Sequence, residues 1–279
     1  MMATTVIDAR RLSGSLGAEL LGLDLAKPVD DAVLTEIRSS FLTHQVIVIR
    51  DQQAMTPDDQ MAFAARWGEI SVHPYVPSIE GYPGLMKIYD PNPITQTWHA
   101  DSTHQKQPPA LTLLLARTLP SVGGDTMFSS MTRAFAALSS GLQTMLRGLR
   151  AVHEGTALAA DAGLAKDAVT AVHPVVRTHP ETGAEALFVN GNYTTRFDGW
   201  TAAESAPLLQ FLYEHCARVE ITYRHRWRAG DLVIWDNRCT MHAATPLLTN
   251  AYRRDMRRTT INESGPETSA YEWMGLAAA

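Results

Sequence analysis

The chain has 279 residues, 45% of them hydrophobic and 19% charged, which is enough for one sizeable core. Its formal net charge is -5, and the one dense basic stretch, residues 253–258, is short and falls in an expected strand, which argues against nucleic acid as a partner. Residues 1–11 hold no run of signal-peptide length, nowhere do 18 apolar residues follow one another, and Cys216 and Cys239 read as free thiols, so the expectation is a cytoplasmic protein with no membrane partner.

Gly14, Gly17 and Gly22 among apolar residues predict short strands and tight turns at the start. Pro28-Val29-Asp30-Asp31 leads into a helical pattern through Leu34, Ile37 and Phe41 that ends near His44, and the β-branched run 46–49 reads as a buried strand. Thr56-Pro57-Asp58-Asp59 has the form of an N-cap followed by proline at the first helical position, opening a helix that runs to about Trp67, where Gly68 stops it. Strands then dominate, at 111–115, 126–129, 186–189, 219–223, 232–235 and 254–261, with helices near 131–146 and 202–217. Residues 156–171 are Ala- and Gly-rich with weak periodicity and predict a mobile loop or lid. The pattern predicts one mainly β domain over residues 1–279, a sandwich or barrel with flanking helices.

Three local signals carry chemistry. In Trp98-His99-Ala100-Asp101 the imidazole and the carboxylate are two residues apart, so an extended backbone turns both to one side, where a distant second histidine would complete a facial metal site with open positions. Alone, the motif also fits a histidine with a purely structural role. The run from Gly230-Asp231 through Leu232-Val233-Ile234-Trp235 predicts a turn and a buried strand, with His242 emerging just beyond it, either as a ligand or as a surface histidine. The third signal is Arg253-Arg254-Asp255-Met256-Arg257-Arg258-Thr259-Thr260. Alternation puts Arg254, Met256, Arg258 and Thr260 on one face, and arginine beside methionine on a half-buried face calls for a carboxylate partner, which a small dicarboxylate would supply.

The stretches WHADST, GGDT, HPVVRTHPETG, ALFVN, WDNRCTMH and RRDMRRTT, in this order, resemble the taurine dioxygenase and 2,4-dichlorophenoxyacetate dioxygenase family over nearly the whole chain. The resemblance implies a double-stranded β-helix, or jelly-roll, core and an oxygenase that uses Fe(II), 2-oxoglutarate and O2. It further implies that His99, Asp101 and His242 ligate the iron, that the Thr126 hydroxyl contacts a carboxylate of 2-oxoglutarate, and that Arg254 pairs with the far carboxylate. Counted forward from His242 without gaps, Arg253 and Arg257 would take the two arginine positions. Arg254 and Arg258 are chosen because their face carries Met256 while the other carries Asp255. His73, Thr95, Tyr193 and Arg258 match substrate-contact positions of the taurine enzyme, and His73 with Arg258 suggests a small anionic substrate.

The helix near 202–217 resembles that of aryloxyalkanoate dioxygenases, and Thr95 stands where the taurine enzyme has an amide. The substrate expected is therefore an aryloxyalkanoate carboxylate, an organosulfonate or an alkyl sulfate, hydroxylated and so cleaved; the alternatives are taurine itself, or a zinc hydrolase built on the same ligands. Trp98 and Asp236-Asn237-Arg238 read as supporting or packing residues, and the resemblance implies a homo-oligomer. Replacing Arg254 by Ala should weaken 2-oxoglutarate binding by roughly 3–5 kcal/mol, on the order of 10²–10³-fold or more, as measured by titration. Loss of that affinity in Arg253→Ala alone would reverse the register.

Overall fold

The computed structural model describes residues 7–73, 76–88, 96–155, 170–246 and 254–263. Short strands β1 (Ala9–Arg11) and β2 (Ala18–Leu20) precede helix α1 (Asp31–His44), strand β3 (Val46–Ile49) and helix α2 (Pro57–Ala65). The Thr56 side chain accepts from the Asp59 amide while Asp59 reaches back to the Thr56 amide, so α2 begins with a complete capping box ahead of Pro57. Strands β4 (Ser78–Ile79), β5 (Tyr82–Ile88), β6 (Leu111–Thr118) and β7 (Thr126–Ser130) follow. Helices α3 (Met131–Ala136) and α4 (Ser140–Arg147) lead to strands β8 (Arg150–Glu154), β9 (Thr170–Pro174), β10 (Val176–Thr178), β11 (Glu185–Leu187) and β12 (Thr194–Phe197). Helix α5 (Ala202–Cys216) then precedes β13 (Thr222–His225), β14 (Leu232–Asp236), β15 (Thr240–Ala244) and β16 (Asp255–Ile261).

The strands form an eight-stranded sheet in the order β1-β2-β3-β14-β6-β16-β5-β4, and a three-stranded sheet, β13-β7-β15, with a second three-stranded sheet, β12-β8-β9, and a two-stranded sheet, β10-β11, beside them. Alternation along β6 explains the layering. Leu111, Leu113 and Leu115 face outward with Ile47, Ile49, Leu232 and Ile234, and these cover Ile37 and Phe41 of α1 and Phe63 of α2. Leu114 and Ala116 face inward with Val233, Trp235 and Met256, meeting Phe128 of β7. Phe128 is fully buried between the two sheets, its ring 5.6 Å from that of Trp235. On the far side of the small sheet, Met241 joins the apolar faces of α3, α4 and α5. The order is thus helices, large sheet, small sheet, helices, with the inter-sheet space as the inner layer.

Several expectations shift. The helix near 131–146 is two helices, because the Ser139 side chain accepts from the Leu142 amide and caps a new start. The strand at 219–223 begins later. Val219–Ile221 is a 3-10 turn, and pairing starts at Thr222 opposite Ser129, so the reach of the partner strand overrides β-propensity. His242 does come just beyond β14, but within a further strand, β15, that sequence pattern did not single out. Of the loop expected at 156–171, residues 156–169 lie outside the described residues, and Thr170 and Ala171 begin β9. Thr95 and Arg253 also lie outside them. No helix of the described residues is long and apolar enough to cross a membrane, and both cysteines are free and buried.

Candidate metal centre

His99 and His242 exchange both of their backbone hydrogen bonds: the His99 amide donates to the His242 carbonyl at 2.9 Å and the reverse bond is 2.7 Å. A pair bonded this way directs both side chains to the same face, and the two rings lie with centroids 4.2 Å apart. Asp101, two residues along, adds its carboxylate, and one donor atom from each of the three lies within 4.8 Å of the others. All three residues are buried. The His99 Nδ1 proton goes to the Thr97 carbonyl at 2.7 Å, which leaves Nε2 as a lone pair. Burial lowers the pKa of His99 and takes that of His242 to about 3, so both imidazoles are neutral near pH 7. Burial alone would raise Asp101, but the Arg258 guanidinium and the two imidazoles hold it well below the usual carboxylate range. Two neutral imidazoles and a carboxylate form a donor set that fits a ferrous ion or another borderline divalent metal.

Asp101 is held from two sides. Thr112 Oγ1 donates to Oδ2 at 2.7 Å, and Arg258 reaches the same oxygen at 2.7 Å. Arg258 therefore touches Asp101 as well as lining a cavity of about 110 Å³ with His73, Met86, Ser102 and Pro109. His73 Nδ1 accepts from the Val76 amide at 3.0 Å, so Nε2 carries the proton. Burial and the Arg258 charge both lower the pKa of His73, against a smaller opposing pull from Asp101, and keep it neutral. Tyr193 stands edge-on to His99 at 6.5 Å, and burial raises its phenol to about 12, so it remains protonated.

Thr126 and Arg254 converge on a residue that sequence reasoning missed. The Trp227 indole donates to Thr126 Oγ1 at 3.0 Å, and the Arg254 guanidinium lies 6.0 Å from the Trp227 ring centroid. Arg254 is 4% exposed, and Met256 between the two arginines is fully buried, so this face of β16 is turned inward. Arg257 points the other way, toward the Met55 carbonyl. A second buried group, His179, Asp236 and Cys239, also converges. There Arg238 takes both Asp236 oxygens, at 2.8 and 2.7 Å, and His179 donates to one of them, so both carboxylate oxygens are paired within the protein.

The segment after Asp101 is clamped by histidines. Ser102 adopts a left-handed backbone, φ 50°, unusual for a residue with a side chain. The Asn190 amide donates to Thr103 Oγ1 at 2.9 Å, His153 bonds the same hydroxyl at 2.9 Å, and His173 Nε2 donates to the carbonyls of Thr103 and Gln105. These contacts hold the turn on which Asp101 sits.

The sequence profile described as "Taurine catabolism dioxygenase TauD, TfdA family" matches residues 8–260. The chain is 33% identical over 253 residues to the alpha-ketoglutarate-dependent sulfate ester dioxygenase of Pseudomonas putida, covering 85% of this chain and 84% of that one. It is 33% identical over 270 residues to the alpha-ketoglutarate-dependent 2,4-dichlorophenoxyacetate dioxygenase of Cupriavidus pinatubonensis, covering 87% and 93%. The crystal structure of AAD-2 in complex with Mn(II) and N-oxalylglycine superposes with a TM-score of 0.81 at 29% identity, covering 93% of this chain and 98% of that one.

The histidine clamp makes stability depend on pH. Burial lowers His173 to about 4 and holds His153 well below its ordinary range, whereas in the unfolded chain both titrate at ~6.5. Between those values the unfolded chain binds protons that the folded chain does not. Stability should therefore be full above about pH 7.5 and fall from ~6.5 toward ~4, by up to roughly 1.4 kcal/mol per pH unit for each histidine. Urea unfolding at pH 7.5 and 5.5 measures this, and His173→Gln should shrink the difference; equal stability at both pH values would contradict it.

Proposed function

Because the chain belongs to the taurine dioxygenase TauD and TfdA family, an α-ketoglutarate-dependent dioxygenase family using Fe(II), 2-oxoglutarate and O2, we propose that His99, Asp101 and His242 hold the iron. The observation that carries this assignment is the two-hydrogen-bond bridge between His99 and His242, with Asp101 beside it. When bound, iron with 2-oxoglutarate and O2 supplies the oxidising power that releases succinate and CO2 and hydroxylates a substrate carbon. The protein's own part is binding and orientation. His99 Nδ1, by donating to Thr97, keeps Nε2 turned to the metal. Thr126 accepts from Trp227 and so keeps its own O–H to donate to a carboxylate oxygen of 2-oxoglutarate, while Arg254 pairs with the distal carboxylate. The AAD-2 complex holds N-oxalylglycine, a dicarboxylate of the same shape, which favours this reading.

The substrate is a small organic anion whose charged end lies between His73 and Arg258, with Tyr193 as a neutral, protonated wall. Relatives that act on sulfate esters and on 2,4-dichlorophenoxyacetate favour an alkyl sulfate, an organosulfonate or an aryloxyalkanoate. Hydroxylation at the carbon bearing the ester or ether oxygen gives a product that collapses and releases the leaving group. The eight-stranded sheet and the β13-β7-β15 sheet are read as the halves of a double-stranded β-helix, and residues 1–279 as one catalytic domain. The free thiols of Cys216 and Cys239 favour the cytoplasm, and a homo-oligomer is carried over from the family resemblance.

Succinate formation and O2 uptake, measured across alkyl sulfates, sulfonates and aryloxyalkanoates, test this reading. At least one anion should drive 2-oxoglutarate turnover. The neutral methyl ester of a carboxylate substrate, or the neutral ether of a sulfate substrate, should lose about 10²-fold or more in kcat/KM, because Arg258 would be left without its partner. Equal turnover of anion and neutral analogue would remove the anion-binding role.

A further inference from the structure

Thr112 interrupts an otherwise apolar run, Leu111-Thr112-Leu113-Leu114-Leu115, on the large sheet's central strand β6. It is fully buried, and a hydroxyl there is costly unless both of its roles are filled. Both are. Thr112 Oγ1 donates to Asp101 Oδ2 at 2.7 Å and accepts from Asn237 Nδ2 at 3.0 Å. Asn237 Oδ1 in turn accepts from the Asp101 backbone amide at 3.4 Å and from the Trp235 indole at 3.0 Å. The three residues close a ring that ties Asp101 by its main chain and its side chain together.

We propose that Thr112 and Asn237 are positioning residues of this centre, fixing Asp101 so that Oδ2 is engaged by the protein and Oδ1 alone is offered to a metal. The inference rests on the reading of Asp101 as a ligand and extends it to residues that act on that ligand without offering a donor to the metal themselves. A carboxylate oxygen has two acceptor sites, and those of Oδ2 are filled by Thr112 and Arg258. Oδ1 is the oxygen turned to His242, 3.8 Å from its Nε2. The ring stands on rigid ground. Thr112 lies opposite Trp235 on one side and Thr260 on the other, and the Asn237 amide bonds the Ala110 carbonyl at 2.9 Å. Thr112→Val would fill the same space but leave Asp101 Oδ2 held by Arg258 alone and Asn237 Nδ2 without its acceptor.

The test is Co(II) titration of the metal-free protein, followed by cobalt d–d absorption, in wild type, Thr112→Val, Thr112→Ser, Asn237→Ala and Asp101→Ala, with urea stability of each metal-free variant alongside. Thr112→Val should bind Co(II) about 10–100-fold more weakly and with a changed d–d spectrum, while Thr112→Ser, which keeps the hydroxyl, returns both to near wild type. Should Thr112→Val not fold, Asn237→Ala carries the same expectation. If Asp101→Ala abolishes binding while Thr112→Val and Asn237→Ala keep wild-type affinity and spectrum, the positioning role is overturned and the ligand assignment stands. If Asp101→Ala binds Co(II) like wild type, the ligand assignment itself fails and the positioning role falls with it.

Discussion

The centre depends on one short piece of backbone pairing, the bridge at which His99 and His242 bond each other twice. The two histidines lie 143 positions apart in the chain, and nothing in their side chains brings them together. What does is the ladder of the small sheet, which sets β15 opposite β7, and a segment before β6 that docks onto β15 for a single residue pair. A one-residue slip in that register would turn His242 into the apolar layer behind the sheet, where Met241 packs. The inter-sheet space is thus a place where an apolar core and a polar site share one wall: Phe128 lies opposite His242 in the ladder, with ring centroids 6.2 Å apart.

Charge is balanced around the same point. Asp101 is buried, and a lone buried carboxylate would be costly, yet Arg258 and Thr112 meet it from the large sheet while the imidazoles face it from the other side. Arg258 therefore links the proposed metal ligand to the cavity proposed for the substrate anion. The neutral state of the imidazoles follows from burial, so metal binding need displace no proton from them near pH 7.

Much of this was legible in the sequence, for identifiable reasons. Period-2 alternation put His99 with Asp101, and Arg254 with Met256 and Arg258, and the inward face of β16 is the one that alternation with Met256 selects. The capping signal at Thr56 gave the start of α2 because that motif is local. Strand β15 was missed because Thr240-Met241-His242-Ala243-Ala244 has neither β-branched enrichment nor a clean alternation; its pairing with β7 makes it a strand. Trp227 was missed because its role exists only where β13 brings it over Thr126 and Arg254. Thr112 did leave a trace, as the one polar residue in a run of leucines, but only the folded chain shows which carboxylate lies above it.

The most direct test of the central claim is anaerobic visible absorption as Fe(II) and then 2-oxoglutarate are added to the metal-free protein. A weak charge-transfer band should appear only when both are present, as a 2-oxoacid chelated on ferrous iron requires, and should be lost in His99→Ala and in His242→Ala. Properly folded, iron-loaded protein that shows no band, or a band that survives both substitutions, would contradict the assignment of iron to this bridge.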